Sequence, residues 1–184
     1  MAYDMEFWND YTCELPSHPY KCSPACSPQE TNAYGIRTFL SLGVPAEKLV
    51  LGLPWYGISY EKVAGILFNR GQLQLSEVQA ILATSPNIPT LDSYSHTKVF
   101  DCGGKCGATQ GTEIWWLRPS STHVSRLIPH RRFDDADTLA MKYGEIAKHG
   151  LGGGGMWAAN MLNYSQPSAQ AVWDALLQAV SLPY

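Results

Sequence analysis

Leu49-Val50-Leu51-Gly52-Leu53-Pro54-Trp55-Tyr56-Gly57 is the stretch that decides the fold. Its first five residues carry no polar side chain on either side of the pleat, the pattern of a parallel strand covered by helices rather than of an antiparallel strand with one wet face. A proline, two aromatics and a glycine then stand where the strand should end. Toward the amino terminus, Ser27-Pro28-Gln29-Glu30 offers a capping hydroxyl, a proline at the first helical position and a carboxylate three residues after the cap. The helix it opens should carry Tyr34, Ile36, Phe39 and Leu40 into the core and stop at Gly43 and Pro45. Before it, Met1-Ala2-Tyr3-Asp4 reads as the interior of another strand.

Toward the carboxyl terminus the pattern weakens from Ser59 to Glu113, with a short helical segment at Ser76–Ala83, turn residues from Pro86 to Asp92 and a Gly-rich loop from Cys102 to Gly111. Periodicity returns at Asp134–Lys148, where Asp135 can cap a helix presenting Leu139, Tyr143, Ile146 and Ala147, with Gly150 as terminator. A strand at Gly154–Ala158 follows, and a last helix from Ser168 places Val172, Trp173, Leu176 and Val180 on one face. The glycines at 152–155 lack a phosphate loop's spacing and its lysine, and read as a tight helix-to-strand turn. The order β, α, β, insertion, α, β, α predicts an α/β fold with a parallel sheet and right-handed crossovers. Three such strands leave two open edges and one uncovered face, whereas a closed eight-fold barrel takes ~250 residues. The expectation is the carboxyl-terminal part of something larger.

Composition narrows the function. With 45% hydrophobic residues, 6 Trp, 10 Tyr and 5 Phe among 184, the chain can bury a core, and whole-chain disorder is excluded. Thirteen Lys+Arg against sixteen Asp+Glu, a net charge of -3, leave no basic surplus for a phosphate backbone, so no nucleic-acid partner is expected. No run approaches the ~18 apolar residues of a membrane helix, so no membrane partner is expected either. The five cysteines, Cys13, Cys22, Cys26, Cys102 and Cys106, lie in Pro- and Gly-rich stretches and point to an oxidising compartment and disulfides. A four-thiolate zinc site would need a far shorter gap between Cys26 and Cys102, so no metal is expected. None of the five histidines stands in a nucleophile-orienting pattern, and no cofactor is implied.

Three segments share a design of apolar strand residues followed by aromatic or polar ones: Met1–Asp4, Leu51–Gly57 and Gly155–Asn160. The carboxyl ends of parallel strands are where barrel active sites gather. A flat aromatic there can underlie a sugar ring, and an Asp or Asn can bond hydroxyl or amide groups. In this order and spacing the segments resemble glycoside hydrolase family 18, the chitinases and their relatives, in particular its lysosomal branch that trims the chitobiose core of asparagine-linked glycans. Met1-Ala2-Tyr3-Asp4 is similar to the family's sixth barrel strand, Leu51–Tyr60 to the seventh, and Gly155-Met156-Trp157 with Asn160, Leu162, Tyr164 and Ser165 to the eighth.

The resemblance implies an incomplete (β/α)8 TIM barrel, its last three βα units with an insertion after the seventh strand. Residues 1–58 and 134–184 would be barrel and 59–133 the insertion, within one partial catalytic domain spanning 1–184. It implies N-acetylglucosamine β-1,4 linkages as substrate, in the chitobiose core or in chitin oligosaccharides, in a lysosomal or secreted setting. In that family's retaining hydrolysis the substrate's acetamido oxygen attacks the anomeric carbon while a Glu protonates the leaving oxygen. Tyr3 would then bond the acetamido group, Asp4 would bind and orient the sugar, and Trp157 would floor the subsite. Trp55, Tyr56 and Asn160 would line the pocket.

Two departures stand out. The family's acid ends an Asp-x-x-Asp-x-Asp-x-Glu motif, which does not occur in these 184 residues. Asp134-Asp135-Ala136-Asp137 has Leu139 where the Glu would fall, and reads as a capping cluster. Loss of general-acid help slows such chemistry by ~10²–10⁴, so the purified chain alone is expected not to hydrolyse a fluorogenic chitobioside, and turnover would refute this. The proton donor would belong to a missing amino-terminal half of the barrel. Leu117–Arg132 is a further departure, sixteen residues with Arg118, Arg126, Arg131 and Arg132 and no acid, without strand or helix periodicity. A surface loop and retained intron-derived sequence both fit; transcript reads joining Trp115 or Trp116 straight to Phe133 would favour the second. A lectin-like relative that holds N-acetylglucosamine oligomers without cleaving them is the alternative in another class. Finally, Asn163-Tyr164-Ser165 satisfies the glycosylation sequon.

Overall fold

The computed structural model describes residues 29–63, 66–85, 87–92, 96–101 and 129–181. Tyr3, Asp4, the Ser27-Pro28 cap and all five cysteines lie outside the described residues. Helix α1 (Gln29–Ser41) leads through a 3-10 turn at Ala46–Lys48 to strand β1 (Val50–Pro54). Gly43 ends α1 at φ +83, in the left-handed region that only glycine enters without strain. There the Gly43 and Val44 amides donate to the carbonyls of Leu40 and Phe39. Ala33, Ile36 and Leu40 face the core as amphipathic spacing requires, but Phe39 is 54% exposed. One residue is ~100° round a helix, which carries Phe39 past the edge of the surface that Leu40 meets.

The parallel partner of β1 is β7 (Gly153–Trp157), in register Val50 with Gly153, Gly52 with Gly155 and Pro54 with Trp157. Between them in sequence runs α3 (Ala136–His149), and α4 (Pro167–Val180) follows β7. Asp135 caps α3 by accepting from the Thr138 amide, while the Thr138 hydroxyl receives the Asp135 amide. Gly150 terminates α3 at φ +62. Gly152 forms the turn that seats the chain on Ala46–Lys48, since a Cβ there would run into the carbonyl of Glu47. Gly154 admits the helices, as a Cβ would stand 2.5 Å from Leu176 Cδ1 and 2.8 Å from Ile146 Cδ1.

Leu51 and Leu53 of β1, with Gly154 and Met156 of β7, form the face beneath the helices. Side chains alternate along a strand, so Val50, Gly52, Pro54, Gly153, Gly155 and Trp157 belong to the other face. That face is open at its two ends: Val50 is 61% exposed rather than covered as its apolar run predicts, and Trp157 is exposed, because the described helices pack on the other side, while Pro54, paired with Trp157, is buried. Each strand of the pair has one edge without a partner among the described residues.

The segment between β1 and α3 is a second sheet, antiparallel and five-stranded, in order β3-β2-β6-β5-β4. Its strands are β2 (Tyr56–Val63), β3 (Ile66–Gln74), β4 (Thr90–Asp92), β5 (Thr97–Asp101) and β6 (Pro129–Phe133), with helix α2 (Leu75–Thr84) after β3. The chain leaves the parallel pair at Trp55 and returns at Asp134, and entry and exit are zipped together by Gly57 opposite Phe133. Arg131 and Arg132, expected in a stretch without strand periodicity, lie in β6, paired to β2 on one side and β5 on the other. The backbone ladder fixes them there, and ladders leave little trace in side-chain pattern when both faces are mixed.

The buried arc of α3 runs through Leu139, Lys142, Tyr143, Glu145 and Ile146, and Ala147, expected in the core, is exposed at its edge. Lys142 explains the rotation. Its Nζ donates to both Asp134 oxygens at 2.7 Å with both side chains buried, which turns the helix toward Lys142 and away from Ala147. Burial pushes the Asp134 carboxyl above its ordinary value of 3.8, and the Lys142 ammonium pulls against that rise.

Candidate functional site

Trp157 is the last residue of β7, opposite Pro54, the last of β1, so it stands at the carboxyl end of both parallel strands. It is 52% exposed, an unusual condition for the largest apolar side chain. The face it shares carries glycines at 52, 153 and 155, and the floor beside the indole is therefore backbone. An aromatic plane rising from a glycine-lined sheet can receive a flat ligand with apolar faces and a hydroxylated edge. The Trp157–Ala158 peptide is cis. A 3-10 turn at Ala159–Met161 follows, with Asn160 exposed beyond the strand end.

Beneath the strand end lies a hydrogen-bonded support. The Trp55 amide donates to the Trp157 carbonyl at 2.8 Å, and the Trp55 indole donates from Nε1 to the Tyr143 hydroxyl at 3.1 Å. That hydroxyl donates in turn to the Gly155 carbonyl at 2.8 Å. Trp173 of α4 meets Trp55 edge to face at 4.8 Å between ring centres. Burial holds the Tyr143 hydroxyl well above the usual phenol range, with the Trp55 bond acting in the opposite sense, so it remains a donor to Gly155. Trp55 is fully buried in the main core, and Tyr56 is buried beside Ile58 with Met161 packed against them.

Of the residues singled out from sequence, then, Trp55 and Trp157 are brought together through the backbone. Asn160 is exposed three residues after Trp157, and the turn that carries it packs through Met161 against Tyr56 and Ile58. The supporting role of Tyr143 is invisible in sequence, where a tyrosine on an apolar face reads as filling. Lys142 on that same face was the available signal of an internal ion pair. Asp134 is spent on that pair, Asp135 on the cap, and Asp137 sits in the first turn of α3. None of the described residues of the two strand ends is a carboxylate.

A parallel strand pair joined through helices that pack on one face fits a TIM-barrel-type fold, and the chain belongs to glycosyl hydrolases family 18, whose model matches residues 1–161. Its relatives include di-N-acetylchitobiase of Mus musculus, 26% identical over 164 residues, covering 83% of this chain and 43% of that protein. The enzyme of the same name from Rattus norvegicus is 28% identical over 165 residues, covering 83% and 42%. The chain thus spans under half the length of these relatives. The crystal structure of a chitinase from Chromobacterium violaceum superposes with a TM-score of 0.61 at 20% identity, covering all of this chain and 45% of that one. A mutant GH18 chitinase from Cycas revoluta, solved with (GlcNAc)4, gives 0.60 at 19%, covering 95% and 45%. At these identities the structures speak to the fold.

Proposed function

We propose that this chain is the carboxyl-terminal part of a chitobiase- or chitinase-like hydrolase that cleaves N-acetylglucosamine β-1,4 linkages with retention. The observation that carries the proposal is Trp157, half exposed at the strand ends on the face free of helices. There its indole would floor the subsite of the reacting sugar, with Asn160 bonding a hydroxyl or acetamido group at the rim. Trp55 would hold the floor from beneath, and Tyr56 would steady the Asn160 turn. Tyr3 would bond the acetamido group as its oxygen closes on the anomeric carbon, and Asp4 would bind and orient the same sugar. The proton for the leaving oxygen would come from a Glu on a segment outside these 184 residues, since these strand ends provide none. Relatives named for hydrolysis weigh against a lectin-like reading. A lysosomal or secreted setting rests on the cysteines and the sequon.

The test is Trp157→Ala. Because about half of the ring is in solvent, unfolding stability should fall by only about 1–2 kcal/mol, less than for emptying a fully buried aromatic site. Binding of N-acetylglucosamine oligomers by the protein, measured by titration calorimetry, should weaken by roughly 30-fold or more, as for other aromatic anchors. Unchanged sugar affinity in a folded variant would remove Trp157 from the site.

A further inference from the structure

Asn163-Tyr164-Ser165 is the sole Asn-x-Ser/Thr sequence in the chain, its middle residue is not proline, and the saccharide site proposed above makes no use of it. All three residues are exposed, Tyr164 at 60%. They sit in a turn closed by the Gln166 amide on the Asn163 carbonyl at 3.0 Å, ahead of Pro167, the first residue of α4. The Asn163 side-chain oxygen accepts from the Ser165 amide at 3.1 Å and from the Ser165 hydroxyl at 2.7 Å. Both amide-oxygen bonds draw electron density away from Nδ2, which makes its protons easier to lose. The Tyr164 hydroxyl donates to the Ala159 carbonyl at 2.7 Å, which ties the loop to the turn that bears Asn160.

We infer that Asn163 is an acceptor for an N-linked oligosaccharide. The donor class is a lipid-pyrophosphate-linked oligosaccharide with N-acetylglucosamine at its reducing end. In the transfer a bond forms between Asn163 Nδ2 and C1 of that sugar, and the bond from C1 to the pyrophosphate oxygen breaks. The lipid pyrophosphate leaves with the electron pair, and one Nδ2 proton passes to a base of the transferase. The exposed turn lets the folded chain carry the glycan without moving any core residue, and the Tyr164 ring, held by its bond to Ala159, offers the first sugar an apolar surface. Three residues past Asn160, the glycan would stand on the rim of the proposed cleft rather than within it.

The chain behind a cleavable secretory leader, translated into microsomes, tests this, with protease protection marking the lumenal fraction. With one sequon, the lumenal chain should gain a single mobility step that peptide:N-glycosidase removes. Asn163→Gln and Ser165→Ala should abolish the step, and Ser165→Thr, which keeps the hydroxyl, should retain it. A protease-protected chain that stays unmodified would overturn the inference, as would a step that survives in Asn163→Gln. Either result would leave the saccharide reading standing, since that is judged by Trp157→Ala.

Discussion

Lys142→Met is expected to destabilise the protein by about 3–5 kcal/mol, because it leaves the Asp134 carboxylate buried with no counter-charge. A domain of ordinary stability has about 5–15 kcal/mol in hand, so much of the variant population should unfold under mild urea, read by circular dichroism. Asp134→Leu together with Lys142→Met should recover most of the loss, since an apolar pair of similar volume often replaces a buried ion pair at little cost. The pH dependence has a definite sign. Burial raises the folded-state pKa of Asp134 above 3.8, and removing the ammonium takes away an opposing influence. A carboxyl raised in the folded state favours folding below its unfolded value and loses that contribution as pH climbs through the folded value. The deficit of Lys142→Met should therefore shrink in acid and be full at neutral pH. A single variant within about 1 kcal/mol of the wild type would show that Asp134 is not left as an uncompensated buried carboxylate when Lys142 is removed.

Trp55→Ala should cost about 3–5 kcal/mol, the range for emptying a buried aromatic site. Beyond the cavity, it deprives Tyr143 of its donor and Trp173 of its edge-to-face partner. Trp55→Phe keeps most of the volume and should lose less, near the ~1 kcal/mol of one hydrogen bond plus the repacking. Set beside Trp157→Ala, this separates the two tryptophans: Trp55 moves the unfolding midpoint, and Trp157 moves sugar affinity. Should Trp55→Phe abolish oligomer binding at full stability, Trp55 would have to contact the sugar itself.

Much of the architecture is legible along the chain because it rests on local signals. Asp135 and Thr138, Gly43 and Gly150 mark helix ends through bonds that span five residues or fewer. The apolar run at Leu49–Leu53 and the glycines before Trp157 mark the parallel pair, since the face packed beneath helices has no place for a polar side chain. The antiparallel sheet between Tyr56 and Phe133 is not legible. Its order, β3-β2-β6-β5-β4, is set by pairing between distant segments, and a charged strand such as Pro129–Phe133 gains its place from the ladder rather than from its side chains.

The site divides the same way. That Trp157 closes a strand, that a sequon follows it and that Asp134–Asp137 opens a helix without supplying an acid are properties of neighbouring residues, and the amino-acid order alone determined them. Which tryptophan meets solvent was decided only in three dimensions. Alternation turns Trp157 to the open face of β7, whereas the chain swings into the second sheet at Trp55 and leaves that indole against Tyr143 and Trp173. Burial is a property of what arrives from elsewhere in the chain, here α3 and α4, and no stretch of nine residues contains that information.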